Sequence, residues 1–165
     1  MRIILGFEFL IIILLTSCQD NPENPYATSD TSFGFHLGEI KFNARIACND
    51  TERQKGLMYV TDLPENDGML FLFKQAGSQG FWMKNTLIPL DIGYFTADYI
   101  LREIHPMYPR TLDSIKSNRD DIQFALEMNQ GWFRKNGITP GAELNLEDMA
   151  RALVARGESP KEWIQ

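Results

Sequence analysis

Two segments of the chain alternate strictly between apolar and polar or small side chains, and this period of two constrains the fold more than any other feature. Successive side chains of a β-strand point to opposite faces of a sheet, so the alternation predicts half-buried strands over residues 40–48 and 122–128. The apolar positions of the two segments are Ile40, Phe42, Ala44, Ile46, Cys48, Ile122, Phe124, Leu126 and Met128.

Turn residues divide the rest of the chain into short elements. Apolar runs between glycines and prolines predict further strands over residues 69–73, 80–83, 91–95, 99–104 and 142–146. Cap residues before glycine stops predict short helices within 49–58, 129–136 and 147–156. Residues 105–121 hold two prolines and are predicted to form a long loop, either a lid or a disordered segment. The predicted fold is mostly β, a compact antiparallel sandwich or barrel-like domain with two or three short helices.

Charge and cysteine content exclude several classes of protein. The chain has 16 Lys and Arg against 22 Asp and Glu, a net charge of −6, which argues against a nucleic-acid binder because such proteins carry a basic face. Two cysteines in 165 residues exclude a disulfide scaffold and a multi-cysteine metal site. We expect one globular domain, a monomer, with no cofactor and no metal.

The N-terminus has the pattern of a secretory signal. The apolar run 9–15 follows Arg2 and precedes Thr16 and Ser17; at about 1.5 Å per residue it covers roughly 10 Å, too little to cross a bilayer core of about 30 Å. The sequence LTSC at 15–18 resembles the bacterial lipobox. That resemblance implies cleavage after Ser17 and attachment of acyl chains such as palmitate at Cys18. An ordinary signal peptide followed by a free cysteine is the alternative.

These patterns predict the domain organisation. Residues 1–17 are the lipoprotein signal peptide, residues 18–32, rich in small polar residues and proline, are a flexible tether, and residues 33–165 are a single β-rich domain. The expected location is the bacterial cell envelope, with the lipid in a membrane and the domain periplasmic or extracellular. Cys48 continues an apolar strand face, so we expect a buried thiol that forms no disulfide.

Several short motifs stand out along the chain, namely 51–53 (TER), 56–58 (GLM), 68–71 (GMLF), 81–86 (FWMKNT), 88–91 (IPLD), 126–127 (LE), Gly131 and Gly141. Together they resemble the hallmarks of the family known as domain of unknown function 192. The resemblance covers about residues 38–147 and does not extend to the loop 108–121. It implies a small β-sandwich or barrel-like domain with no established activity, and it supplies no catalytic residues.

A few polar side chains interrupt the otherwise apolar segment 81–95. An isolated buried charge costs several kcal/mol, so Lys84 and Asp91 either pair with each other or line a cleft. In the first case Asn85 and Thr86 would satisfy turn backbone. In the second case Trp82 would form the apolar floor of a small polar pocket.

Arg53 and Glu127 extend this candidate site. A guanidinium can hold a carboxylate through two hydrogen bonds, so Arg53 is expected to bind Asp91, Glu127 or a carboxylate of a ligand. We hypothesise that these groups converge on one face of the domain. The candidate ligand-binding residues are Arg53, Trp82, Lys84, Asn85, Thr86, Asp91 and Glu127.

Three functions are compatible with these residues. The first is a lipid-anchored module that binds a small ligand, a glycan or a peptide. The second is a cofactor-free hydrolase using an acid cluster of Glu52, Asp91 and Glu127, which needs two carboxyl groups facing each other across a cleft. The third is a structural or partner-docking lipoprotein.

Overall fold

The computed structural model describes residues 25–164. The predicted signal peptide, the predicted lipidation site Cys18 and the first part of the predicted tether lie outside the described residues, so those predictions stay predictions. The end of the predicted tether lies against the domain, because the backbone N–H of Ala27 donates to the carbonyl oxygen of Ala155 over 2.8 Å. Within residues 25–164, none of the helices has the length and apolar character needed to cross a membrane.

The described chain consists of short strands with a few short helices between and after them. The strands are β1 (Ser32–Leu37), β2 (Ile40–Ala47), β3 (Asp67–Gly77), β4 (Gly80–Phe81), β5 (Leu90–Thr96), β6 (Leu101–Met107), β7 (Ile115–Lys116) and β8 (Ile122–Asn129). The helices are α1 (Asp50–Lys55), α2 (Trp132–Lys135) and α3 (Leu146–Ala155), followed by a 3₁₀ helix, Pro160–Glu162.

Six strands form one sheet in the order β1-β2-β3-β8-β5-β6, and β4 pairs with β7 in a second, small sheet. The predicted mostly β fold with short helices is confirmed. The sheet is mixed rather than purely antiparallel, because β2 and β3 run parallel with Arg45 opposite Met69. Parallel neighbours need a crossover connection, and the segment containing α1 supplies it. The large sheet is open and does not close into a barrel.

The large sheet is buried on both faces. One face packs under α3 around Leu70, Phe124 and Leu126, and the other packs around Phe71 and Tyr94. The strand over 122–128 is confirmed, but it is not half-buried. Because β8 lies between β3 and β5, its positions 123, 125 and 127 are buried as well.

Two further predicted elements differ in the structure. Strand 80–83 shortens to the two residues of β4, and Trp82 lies outside it. Residues 142–146 form only single bridges, from Leu144 to Leu37 and from Glu143 to Ile100, rather than a full strand.

The segment 105–121 is not the long loop that the sequence predicts. β6 continues through Met107, and β7 forms within the segment. The carboxylate of Glu103 accepts the backbone N–H groups of Asn118 and Arg119 over 3.0 and 3.1 Å. These bonds hold the end of the segment against β6.

Candidate functional site

One pocket collects four of the seven candidate residues, namely Arg53, Trp82, Thr86 and Glu127. It opens between α1, β4 and the loop after β4, and it reaches the face of β8 that carries Glu127. Its empty volume is about 270 Å³ including the part open to solvent. The free space at its centre is about 20 Å³, which is room for one or two water molecules or a group of that size. We call this site the Glu127 pocket.

Glu127 contributes a buried carboxyl group to this pocket. It lies on β8 between Met69 of β3 and Ile92 of β5 and is 5% exposed. Among residues 25–164 its carboxyl group has no hydrogen-bond partner. Burial raises the pKa of Glu127 to about 8, although the charge of Arg45 acts in the opposite direction. The carboxyl group is therefore mainly neutral at pH 7 and can donate a hydrogen bond as well as accept one.

Thr86 brings a second polar group to the same pocket. It is 5% exposed, and its backbone is fixed because its N–H donates to the carbonyl oxygen of Met83 over 3.0 Å while its own carbonyl accepts from Arg110 over 3.1 Å. Its hydroxyl has no hydrogen-bond partner in the described part of the chain. Two residues that are each 5% exposed thus line one small cavity, and their polar oxygens are open to it and bond to no other described group.

Arg53 lies at the edge of the pocket, on the short helix α1. Its guanidinium donates to the carbonyl oxygen of Leu72 over 2.9 Å and to the carboxylate of Asp50 over 2.5 Å. It also lies over the ring of Phe73, 5.4 Å from the ring centre. The predicted ion pair with Asp91 or Glu127 is not formed. The described bonds use two of its five N–H donors, which leaves donors for a further partner.

Trp82 lines the pocket, whereas Lys84 and Asn85 do not line it and contact residues beside it. Trp82 is 47% exposed, so it lies at the edge rather than forming the predicted floor. The ammonium group of Lys84 lies 5.0 Å from the centre of the Trp82 ring, a cation–π contact. Asn85 adopts a left-handed backbone conformation (φ 59°) and donates from its side chain to the hydroxyl of Tyr59 over 2.9 Å.

Asp91 does not belong to this site. It is opposite Met128 on β8, whereas Ile92 is opposite Glu127. Neighbouring positions on a strand face opposite sides of a sheet, so Asp91 and Glu127 point to opposite faces. The carboxylate of Asp91 accepts the backbone N–H of Gly131 over 2.7 Å, and it forms no ion pair with Lys84. The hypothesis that all the candidate residues converge is wrong for Asp91.

The acid cluster predicted for a hydrolase is not formed either. Glu52 binds Arg156 and accepts the backbone N–H of Cys48 over 2.9 Å. Burial acts to raise the pKa of Glu52, but these hydrogen bonds outweigh it and lower the pKa below its usual value. Glu52, Asp91 and Glu127 thus lie in three different surroundings. In residues 25–164 no three His, Cys, Asp or Glu side chains are grouped so that they could hold a metal ion.

The sequence interpretation missed the aromatic and basic walls of the pocket. Phe71 and Phe81 line it and contact each other edge to face, with ring centres 4.9 Å apart, and Lys55 contributes a second cation. Phe81 is adjacent to Trp82 in the motif FWMKNT, which is the signal that could have placed it. Lys55 lies on α1 in the crossover from β2 to β3, and Phe71 lies on β3. No local pattern in the sequence indicates that these two residues line the same pocket.

Comparison with known families gives a match over most of the domain. The family DUF192, described as "Uncharacterized ACR", matches residues 35–146. This range contains all four pocket candidates and the motif FWMKNT. No curated protein gives a significant match to the chain.

Two solved structures are similar in fold and in sequence. A protein from Sinorhizobium meliloti 1021, provisionally described as a transcription regulator, is 29% identical, with a TM-score of 0.68 over 72% of this chain and 96% of that one. A protein of unknown function from Novosphingobium aromaticivorans DSM 12444 is 28% identical, with a TM-score of 0.63 over 70% of this chain and 84% of that one.

Proposed function

The chain belongs to the uncharacterised family DUF192, and from this premise we propose that it is a lipid-anchored envelope protein whose domain binds a ligand in the Glu127 pocket. One observation carries the binding role. Thr86 and Glu127, each 5% exposed, present a hydroxyl and a carboxyl group without partners to the same small cavity. Both groups line a concave pocket and are free to bond to a molecule that enters it, and polar groups that converge in a pocket are typical of a ligand site.

The size of the pocket limits what enters it. A free interior of about 20 Å³ admits one small polar group and not a whole sugar or side chain of large size. The remainder of the ligand must then lie across the mouth, beside Trp82 and Lys84. A small molecule, a glycan or a peptide meets this requirement if it carries such a terminal group.

Lipid attachment at Cys18 is the second part of the proposal. It is supported by the short apolar run and the residues LTSC at 15–18. Such an anchor would hold the domain beside a membrane, on the periplasmic or the outer side of the envelope. Mass spectrometry of the membrane fraction should find an acylated Cys18 at the mature N-terminus. An unmodified protein that begins at another residue would refute the anchor.

The two other functions fit the described residues less well. A hydrolase that uses two acids has no pair of carboxyl groups facing each other, because Glu52 is bound by Arg156 and Asp91 lies on the other face of the sheet. The description of the Sinorhizobium meliloti protein as a regulator does not suit this chain, whose net charge of −6 opposes binding to DNA. A purely structural lipoprotein has no need for two polar groups that converge in a pocket.

A thermal-shift screen of the full-length protein in detergent tests the binding role. A ligand that binds the native state raises the melting temperature by mass action. The shift should fall strongly in Thr86→Val and in Glu127→Leu, and it should persist in the control Asp91→Asn, which alters a buried carboxyl on the opposite face. Shifts that are equal in all these proteins would show that the pocket is not the binding site.

A further inference from the structure

Two loops line part of the Glu127 pocket, through Met58 and through Trp82 and Thr86, and a third loop is joined to them by backbone hydrogen bonds. The N–H of Tyr59 donates to the carbonyl oxygen of Asn85 over 2.9 Å, and the N–H of Arg110 donates to that of Thr86 over 3.1 Å. The N–H of Met83 donates to the carbonyl oxygen of Thr111 over 2.9 Å. We call residues 58–60, 82–88 and 108–112 together the rim.

The rim is unusually apolar for an exposed surface. Eight large hydrophobic side chains are exposed in residues 25–164, and five of them lie in these three short loops. Exposed apolar side chains that gather in one place mark surfaces that bind a partner or a ligand. The five are Tyr59, Trp82, Leu87, Tyr108 and Leu112.

The rim also holds strained backbone. Among residues 25–164, four residues other than glycine have a positive φ, and three of them, Tyr59, Asn85 and Arg110, lie in the rim with φ between 59° and 65°. Such conformations cost about 1 kcal/mol or more each and persist where the surrounding structure enforces them, often at binding sites. The hydrogen bonds between the loops supply that enforcement here. The rim is therefore a shaped surface joined to the pocket.

Charge around the pocket favours an electron-rich group over a cation. Arg53 and Lys55 of α1 line the pocket, and Lys84 lies over Trp82 at the mouth. Arg53 is paired with Asp50, and Lys55 lies 3.8 Å from Asp30, so their charges are partly offset at their outer ends. The net charge of these side chains is still positive, although the whole chain has a net charge of −6.

The groups that face Glu127 from each neighbouring element agree with this preference. Arg45 of β2 acts on the carboxyl group with a positive charge and lies 3.8 Å from Asp30, while the buried phenol of Tyr94 on β5 has a raised pKa and stays neutral. With Glu127 itself mainly protonated at pH 7, its carboxyl group and the hydroxyl of Thr86 can both donate to an acceptor oxygen. An incoming ammonium group would meet cations at the entrance and find no carboxylate ready inside.

We infer that the pocket binds the free carboxylate at the end of a peptide, and that the apolar side chains of the peptide's last residues lie on the rim. The inference rests on the proposed binding function of the same pocket. Glu127 and Thr86 would donate to the carboxylate oxygens, and Arg53 would supply the opposite charge. Capture of a terminal carboxylate is a recurrent mode of peptide recognition. The leucines of the rim favour a peptide with apolar side chains over a sugar acid, whose polar ring needs hydrogen-bonding partners.

Four small probes test the inference by calorimetry on the full-length protein in detergent. Acetyl-Leu-Phe as the free acid should bind at least tenfold more tightly than acetyl-Leu-Phe amide. It should also bind at least tenfold more tightly than 2-phenylethylamine, which carries an ammonium group, and than glucuronate, a sugar acid. If the amide binds as well as the acid, or the amine binds more tightly, the inference that the pocket prefers a carboxylate is wrong. If glucuronate binds as tightly as the peptide acid, the inference that the ligand is a peptide is wrong.

The pH dependence gives a second, independent readout. The affinity for the free acid should be constant below pH 7 and fall about tenfold per pH unit above about 8, because ionised Glu127 repels the carboxylate. Glu127→Gln should remove this dependence while keeping the affinity, since the amide N–H of glutamine donates at every pH. An affinity that rises with pH would refute the inference.

Two variants separate failure of this inference from failure of the binding function. Thr86→Val should weaken binding of the free acid about tenfold, the loss expected for one hydrogen bond to a charged group, while Asp91→Asn should bind like the wild type. If the amide or the amine binds and Thr86→Val weakens that binding, the pocket is a ligand site for another chemistry. If neither these probes nor the compounds of the thermal-shift screen depend on Thr86 and Glu127, the proposed function itself is wrong.

Discussion

Glu52 and Arg156 lie 104 positions apart in the chain, and their side chains form a buried ion pair. The pair joins α1, which flanks the Glu127 pocket, to the residue that ends α3. Arg156 also donates to the carbonyl oxygen of Ile46 over 3.0 Å, so it connects β2 to the same point. A single guanidinium thus holds together three elements that are distant in sequence.

Replacing Arg156 by methionine should lower the free energy of unfolding by about 3 kcal/mol, because the largely buried carboxylate of Glu52 would lose its opposite charge and keep only the N–H of Cys48. Chemical denaturation measures the change. The matched control is Lys135→Met, which breaks an ion pair with Glu65 in which both side chains are more than half exposed, and it should cost less than about 1 kcal/mol. Similar losses in the two variants would contradict a structural role for the buried pair.

Glu127 should make the protein less stable as the pH rises. Its pKa is about 8 in the folded state against an ordinary value of 4.5, so between these values the folded state holds a proton that the unfolded state has released. The free energy of unfolding therefore falls with pH across this window, by about 1.4 kcal/mol per unit from this group, and the effect is complete above pH 8.

The variant Glu127→Gln removes this group from the titration. The difference in unfolding free energy between the variant and the wild type should grow from pH 4.5 to pH 8 and then level off, with the variant the more stable at high pH. Denaturation at pH 5, 7 and 9 measures it. Parallel curves for the two proteins would mean that Glu127 keeps an ordinary pKa.

Gly68 should tolerate no side chain. A Cβ atom at this position would lie 2.3 Å from the carbonyl oxygen of Glu127 and 2.3 Å from the sulfur of Met128, and the backbone of β8 cannot move away without breaking the sheet. Gly68→Ala should destabilise the protein by more than about 3 kcal/mol or prevent folding. Gly34→Ala, in the strand β1 with no atom within 4 Å of the added Cβ, should change stability little. Equal melting temperatures for the two variants would refute the close packing at Gly68.

Cys48 should react slowly in the folded protein. Its thiol is buried, and burial followed by the nearby charge of Glu52 raises its pKa to about 11, so little thiolate is present at pH 8. Labelling with a thiol reagent should be at least tenfold slower in native protein than in denatured protein. Rapid labelling without denaturant would show that this part of β2 and α1 opens readily.

Local patterns predicted most elements of the fold. The alternation over 40–48 corresponds to β2, and Asn49 caps α1 with its side chain before an acidic first turn. Asn145 caps α3 in the same way, although it falls within the strand predicted over 142–146. The sheet order was not predictable in the same way. Nothing in the sequence of residues 67–77 indicates that β3 runs parallel to β2, because the choice depends on contacts between strands.

The candidate site was predictable in residue type and only partly in geometry. Polar residues within apolar segments singled out Thr86 and Glu127, and both line the pocket. Asp91 had the same sequence signal and lies on the opposite face. Which face a strand residue occupies relative to a residue of another strand depends on register, and register is set by the packing of the whole sheet.

The position of β8 determines when the domain can complete its fold. β8 lies between β3 and β5 in the sheet, yet it is the last strand of the sheet in the chain. Until residue 129 has emerged from the ribosome, β3 and β5 each have an open edge. Completion of the sheet therefore waits for the final quarter of the chain, and a chain arrested earlier presents two unpaired edges to chaperones and proteases.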